Sequence, residues 1–204
     1  MKILAVGMNY AQHNKELDCP FIKPKEPVLF MKADSALLKD GKPFFIPDFT
    51  NRCDYETELV IRICRLGKSI SQRFAHRYYD AITVGVDFTA RDVQERLRTE
   101  GLPWELCKSF DGSAAVGRFV SIEGRNIQEE HFHLEIDGKM VQEGCSRDML
   151  YTVDEIIAYA SRYFTLRQGD LLFTGTPVGV GPVQIGQHLE GYLGNDRLLD
   201  FNIR

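Results

Sequence analysis

Short apolar runs cut by turn residues dominate the first half of the chain. Ile3–Val6, Pro27–Met31 and Phe44–Ile46 each read as a strand, the last ended by Pro47-Asp48. Asp54–Ile63 is the clearest strand. Ala81–Val86 is another and runs into a helix over about Ala90–Thr99, with Gly101 as its stop. In the second half Val116–Ile122 reads as a strand, and His131–Ile136 and Lys139–Gln142 flank Asp137-Gly138, a two-residue hairpin signal. Val153–Phe164 places Ile156, Ile157, Tyr159, Ala160 and Phe164 at helical spacing, with Thr152 or Asp154 near its cap. Asp170–Thr174 and the Gln187–Ile203 segment finish as strands. Strands outnumber helices and few strand–helix–strand units occur. The expected class is therefore α+β on a mostly antiparallel or mixed sheet, not a doubly wound one.

Composition changes this picture little. The 204 residues are 44% hydrophobic and 26% charged, an ordinary globular mixture, and a single catalytic domain over 1–204 is expected. A formal net charge of −4 gives no basic patch to argue for a nucleic-acid partner. No run approaches the roughly 18–20 apolar residues of a membrane span. The apolar start Ile3-Leu4-Ala5-Val6 is shorter than a signal core of about 7–15 residues, so a cytoplasmic protein whose fold starts at residue 1 is the default. Cys19, Cys53, Cys64, Cys107 and Cys145 show no C-x-x-C spacing and read as reduced packing residues.

Five segments carry candidate chemistry. In Asp54-Tyr55-Glu56-Thr57-Glu58, strand alternation puts Glu56 and Glu58 on one face with Cα atoms about 6.5–7 Å apart, close enough to share an ion; a solvated strand face is the plainer reading. Asp87 ends a strand where a helix begins, and Arg91 and Gln94 share a face of that helix; capping by Asp87 or Thr89 is the alternative. His13 and Glu16 lie three apart, so a carboxylate could orient an imidazole as a general base. Thr174-Gly175-Thr176-Pro177 lacks the Lys-Ser/Thr of a phosphate loop and reads as a turn that lets backbone approach a small ligand. Lys108, in a mostly apolar run, is either a buried ligand-facing cation or a snorkelling one. His131 and His133 alternate with Phe132, Leu134 and Ile136 and belong on the solvent face, as do His76 and His188, which have no partner in view.

Taken in order, His-x-x-Glu at 13/16, Lys32, Glu-x-Glu at 56/58, Asp-x-x-x-Arg-Asp-x-Gln at 87–94, Lys108 and Thr-Gly-Thr-Pro at 174–177 resemble the fumarylacetoacetate hydrolase superfamily. The resemblance covers essentially the whole chain from about Gly7. Gly101-Leu102-Pro103-Trp104 followed by Lys108-Ser109-Phe110 looks most like its acylpyruvase and oxaloacetate decarboxylase branch. The resemblance implies a mixed, mostly antiparallel β-sandwich roll with a few short helices. It implies Glu56, Glu58 and Asp87 as ligands of Mg²⁺ or Mn²⁺, with Ca²⁺ also suited to hard oxygens. It places Arg91, Gln94 and Thr176 around a small 2-oxo acid, with Thr176 donating to its carboxylate. Lys108 is then catalytic and His13–Glu16 activates water. The implied reaction is hydrolysis of a C–C bond in acylpyruvate-like substrates through a metal-stabilised pyruvate enolate, with oxaloacetate decarboxylation as a companion activity. Isomerisation or decarboxylation of 2-hydroxy-dienoates or 2-oxo-enedioates is the alternative, and a non-catalytic binding module is a third. A homodimer is expected from the same resemblance.

Overall fold

In the computed structural model of the chain, residues 1–11 and 23–204 are described. The apolar runs become strands β1 (Ile3–Gly7), β2 (Val28–Lys32), β3 (Leu37–Leu38), β4 (Cys53–Tyr55), β5 (Thr57–Ile63), β6 (Tyr79–Asp87), β7 (Thr89–Ala90), β8 (Ala114–Val116) and β9 (Val120–Ser121). The second half supplies β10 (His131–Ile136), β11 (Lys139–Cys145), β12 (Leu171–Phe173), β13 (Gly181–Pro182), β14 (His188–Leu193) and β15 (Asp196–Asn202). Among the described residues the α-helices are α1 (Arg91–Glu100), α2 (Glu105–Lys108) and α3 (Val153–Tyr163), and none is long and apolar enough to cross a membrane.

The strands form three sheets. The largest has eight strands in the order β2-β1-β12-β5-β6-β8-β3, with β9 also on β6; β1–β12 and β3–β8 are parallel and the other pairs antiparallel. A four-stranded antiparallel sheet runs β11-β10-β14-β15, and a small one runs β13-β4-β7. Leu59, Ile61, Ile82, Val84 and Val86 on one face of the large sheet pack with Phe132, Leu134, Leu189 and Phe201 of the four-stranded sheet. The alternate positions Ile3, Ala5, Val60, Leu171 and Phe173 form a second core on the opposite face, beneath Phe30, Leu37 and Phe119. Burial on both faces explains why these strands read as continuous apolar runs. The mixed sheets with few helices were expected. The large sheet itself is a curled half-barrel, which the sandwich-roll expectation did not specify.

Local chemistry accounts for most boundaries. Asp137 (φ 52°) and Gly138 (φ 74°) are both left-handed, as a type I′ hairpin turn requires. Thr152 caps α3 and Glu155 returns the bond, forming a capping box. Gly101, at φ 67°, ends α1 in the left-handed conformation. Other expectations need correction. Phe44–Ile46 is not a strand; it makes a single bridge to Ile203, and Pro47 removes the next donor. Val116–Ile122 splits into β8 and β9 at Gly117, where an added Cβ would lie 2.6 Å from the Leu198 carbonyl. Asp54–Ile63 splits at Glu56, so that β4 belongs to the small sheet and β5 to the large one.

Candidate metal centre and active site

The break at Glu56 builds the site. Asp87 ends β6, and its N–H donates to the Glu56 carbonyl at 2.8 Å, while Glu58 lies opposite Gly85 two residues along the same ladder. Glu56, Glu58 and Asp87 thereby present carboxylate oxygens within 4.8 Å of one another, all three side chains being buried. The solvated-strand reading is excluded. So is helix capping: the N-cap of α1 is Ala90, no side chain caps the helix, and the Thr89 hydroxyl instead accepts from Lys108 Nζ at 2.6 Å.

Three buried cations offset part of this charge. Lys108 directs its hydrogens to Glu56 Oε2 (2.7 Å), Asp87 Oδ2 (3.0 Å) and Thr89 Oγ1. Burial alone would lower its pKa, but Asp87 and Glu56 outweigh that, so the ammonium is held charged above its ordinary range. Each nitrogen of Arg91 makes one bond, Nε to Asp54 Oδ2 (2.8 Å), Nη2 to Glu56 Oε1 (2.7 Å) and Nη1 to Gln94 Oε1 (2.6 Å). That last bond leaves the Gln94 amide –NH₂ as the group it can offer a ligand. The Lys32 ammonium lies 2.6 Å from Asp87 Oδ1 and also reaches the Lys108 carbonyl, the Ser113 carbonyl (3.0 Å) and Ser113 Oγ (3.1 Å). Both Asp87 oxygens are thereby held by buried ammonium groups, Oδ1 by Lys32 and Oδ2 by Lys108.

The donor set tests the fit of a metal. Three buried carboxylates converging on one point repel one another unless cations lie among them. Burial, then Asp87, pushes the Glu58 carboxyl well above its ordinary range, although the Gly175 N–H opposes the shift. Three hard oxygens so placed fit Mg²⁺ or Mn²⁺. Glu56, Glu58 and Asp87 are the residues that would hold the ion.

The Thr174–Pro177 turn closes one side. Gly175 has φ 98° and donates its N–H to Glu58 Oε2 at 2.6 Å; an added Cβ would lie 2.7 Å from Asn9 Cβ. The close backbone approach expected here is thus made to a metal-ligand candidate. The Thr176 hydroxyl donates to the Thr57 carbonyl at 2.9 Å and accepts from Gln142 Nε2 at 2.8 Å. Its proton therefore goes to Thr57 in this structure.

A cavity of about 90 Å³ opens on the cluster, lined by Glu56, Glu58, Asp87, Arg91, Gln94, Lys108 and Thr176, with Phe30 and Trp104 as apolar walls. It suits a ligand of a few heavy atoms. The structure thus gathers seven of the nine sequence-proposed residues around one cavity. His13 and Glu16 lie outside the described residues. His131 and His133 fall on the face opposite Phe132 and Leu134, as expected, with His133 stacked on Tyr192. His188 does have a partner, Asp200 Oδ1 at 2.7 Å; the pairing crosses from β14 to β15 and was invisible along the chain. The four described cysteines are free. Sequence reasoning missed Asp54, whose Arg91 contact bridges 37 residues, and Gln142, which looks like any polar strand residue.

Comparison with known proteins gives the same placement. Residues 2–200 match the fumarylacetoacetate (FAA) hydrolase C-terminal family. The chain is 38% identical over 191 residues to the mitochondrial oxaloacetate tautomerase of Mus musculus, covering 92% of this chain and 85% of that protein. It is 36% identical over 190 residues to an oxaloacetate tautomerase of Escherichia coli strain K12, covering 92% and 86%. The crystal structure of fumarylpyruvate hydrolase from Pseudomonas aeruginosa, in complex with Mn²⁺ and pyruvate, superimposes with a TM-score of 0.92 at 33% identity, covering 100% of this chain and 89% of that one. These relatives are enzymes. This chain belongs to the fumarylacetoacetate hydrolase family.

Proposed function

We propose that the protein is a divalent-metal-dependent enzyme acting on a small 2-oxo acid through its enol form, with keto–enol tautomerisation of oxaloacetate as the reaction. The observation that carries this is the buried carboxylate trio Glu56, Glu58 and Asp87, facing a cavity walled by Lys108 and Gln94. When bound, a divalent ion would polarise the 2-oxo group and acidify the neighbouring C–H. Lys108, held charged, stabilises negative charge developing on the substrate oxygen. The Gln94 –NH₂ orients a carboxylate, and Phe30 and Trp104 keep water from the reacting carbons. In tautomerisation one proton leaves C3 and one arrives on the C2 oxygen. We assign the carbon base to His13 supported by Glu16, which the sequence pairs.

Hydrolysis of an acylpyruvate is the second reading, favoured by the likeness to fumarylpyruvate hydrolase. There the same dyad would activate water, and pyruvate would leave as its enolate. Oxaloacetate decarboxylation would use the same pocket without a nucleophile. A panel separates them: enol-oxaloacetate followed by ultraviolet absorbance, and pyruvate release from acetylpyruvate, fumarylpyruvate and oxaloacetate, each after EDTA and after Mn²⁺ is restored. Metal-dependent loss of the enol band without pyruvate release is expected. Turnover that EDTA leaves intact, or none on any of these acids with Mn²⁺ bound, would refute the proposal.

A further inference from the structure

We propose that Gln142 is a positioning residue that holds the metal-ligand carboxylates in register, a role resting on the metal-site reading above. Gln142 lies on β11, in the four-stranded sheet, and is 3% exposed. Its side chain makes three hydrogen bonds, all to the site and none to its own sheet. Oε1 accepts from the Thr57 N–H at 2.9 Å; Nε2 donates to Thr176 Oγ1 at 2.8 Å and to the Pro177 carbonyl at 2.8 Å.

The reason lies where β12 ends. Thr57 stands between two metal-ligand candidates at the start of β5, three residues beyond the last rung that β12 makes with that strand, Phe173 opposite Val60, and its buried N–H takes an acceptor from elsewhere. Gln142 supplies that acceptor. The Thr57 carbonyl is taken by Thr176 Oγ1, whose lone pair is in turn held by Gln142 Nε2. One amide therefore fixes the peptide between Glu56 and Glu58 and also the turn whose Gly175 N–H binds Glu58. Gly179 (φ 103°) brings the following loop down on it, where a Cβ would stand 3.4 Å from Gln142 Cγ. Both the acceptor and the donor end are needed, which only an amide of this length offers in neutral form.

The test is Mn²⁺ binding to purified, folded protein, read by electron paramagnetic resonance of free and bound Mn²⁺, with circular dichroism and a melting curve beside it. Q142M keeps the side chain's length and removes both polar ends; Q142N keeps the amide and cannot span the gap. Loss of an outer partner that orients metal ligands weakens affinity by about 10–100-fold, and that weakening is expected in either variant while it remains folded. A dissociation constant within about twofold of wild type in a folded variant would overturn the proposal, as would failure of both variants to fold, since Gln142 would then serve the fold and not the site. Wild-type protein that binds no Mn²⁺ would instead sink the metal-site reading itself, so the two failures are distinguishable.

Discussion

Removing the Lys108 ammonium, as in Lys108→Met, takes a buried cation out from between Glu56 Oε2 and Asp87 Oδ2, which it touches at 2.7 and 3.0 Å. The side chain is 4% exposed, so water cannot replace it. Breaking a buried ion pair by deleting one partner typically costs about 3–5 kcal/mol, because the other charge is left uncompensated. In a chain of this size each kcal/mol moves the melting temperature by about 2–4 °C, which puts the metal-free variant about 6–20 °C below wild type. The same deletion removes a cation that shares two carboxylates with the proposed ion. Mn²⁺ should therefore stabilise K108M more than it stabilises wild type, closing at least half of the gap. Turnover should stay low even in the metal-loaded variant, because the charge-stabilising ammonium is gone. The assay is a melting curve with EDTA and with excess Mn²⁺, run well above the carboxylate range so that protonation cannot substitute for a cation. A metal-free variant that melts with wild type, or an unchanged gap in Mn²⁺, would show that Lys108 and the ion do not share this cluster.

Glu58 predicts a pH dependence. Its folded pKa is raised above the ordinary 4.5, so its contribution to stability is fully present below that value and is lost as pH rises through the raised folded pKa. The metal-free protein should lose stability over that window, and the Mn²⁺-induced rise in melting temperature should grow across it; an increment flat with pH would contradict this. Gly175→Ala puts a side chain at φ 98° and 2.7 Å from Asn9 Cβ, and should cost about 1–3 kcal/mol in urea unfolding with weakened Mn²⁺ binding, whereas a neutral result would deny the tight approach of this turn to Glu58. The single tryptophan, Trp104, walls the cavity, so pyruvate should perturb its fluorescence in Mn²⁺-loaded protein and much less after EDTA; equal titrations would separate ligand from metal.

Much of this was legible along the chain, because it depends on neighbours within a few residues. The Asp137-Gly138 turn, the Thr152 cap and the Gly101 stop follow from local backbone preferences, and the apolar alternation located most strands. The pairing of Glu56 with Glu58 was read correctly but for an incomplete reason. One continuous strand would have aligned them, whereas the structure breaks there and aligns them through Asp87 and Gln142. Tertiary packing alone decided whether Asp87 capped a helix and whether Lys108 snorkelled to water. It also decided that Arg91 would face Asp54 and Glu56 instead of standing free for a ligand. The contacts that settled those questions join residues 85 apart between Thr57 and Gln142, and 76 apart between Lys32 and Lys108. Sequence periodicity reports which side of an element is apolar. The fate of a buried charge depends on which opposite charge and which donor the fold carries to it, and dielectric exclusion by distant segments makes those few contacts strong.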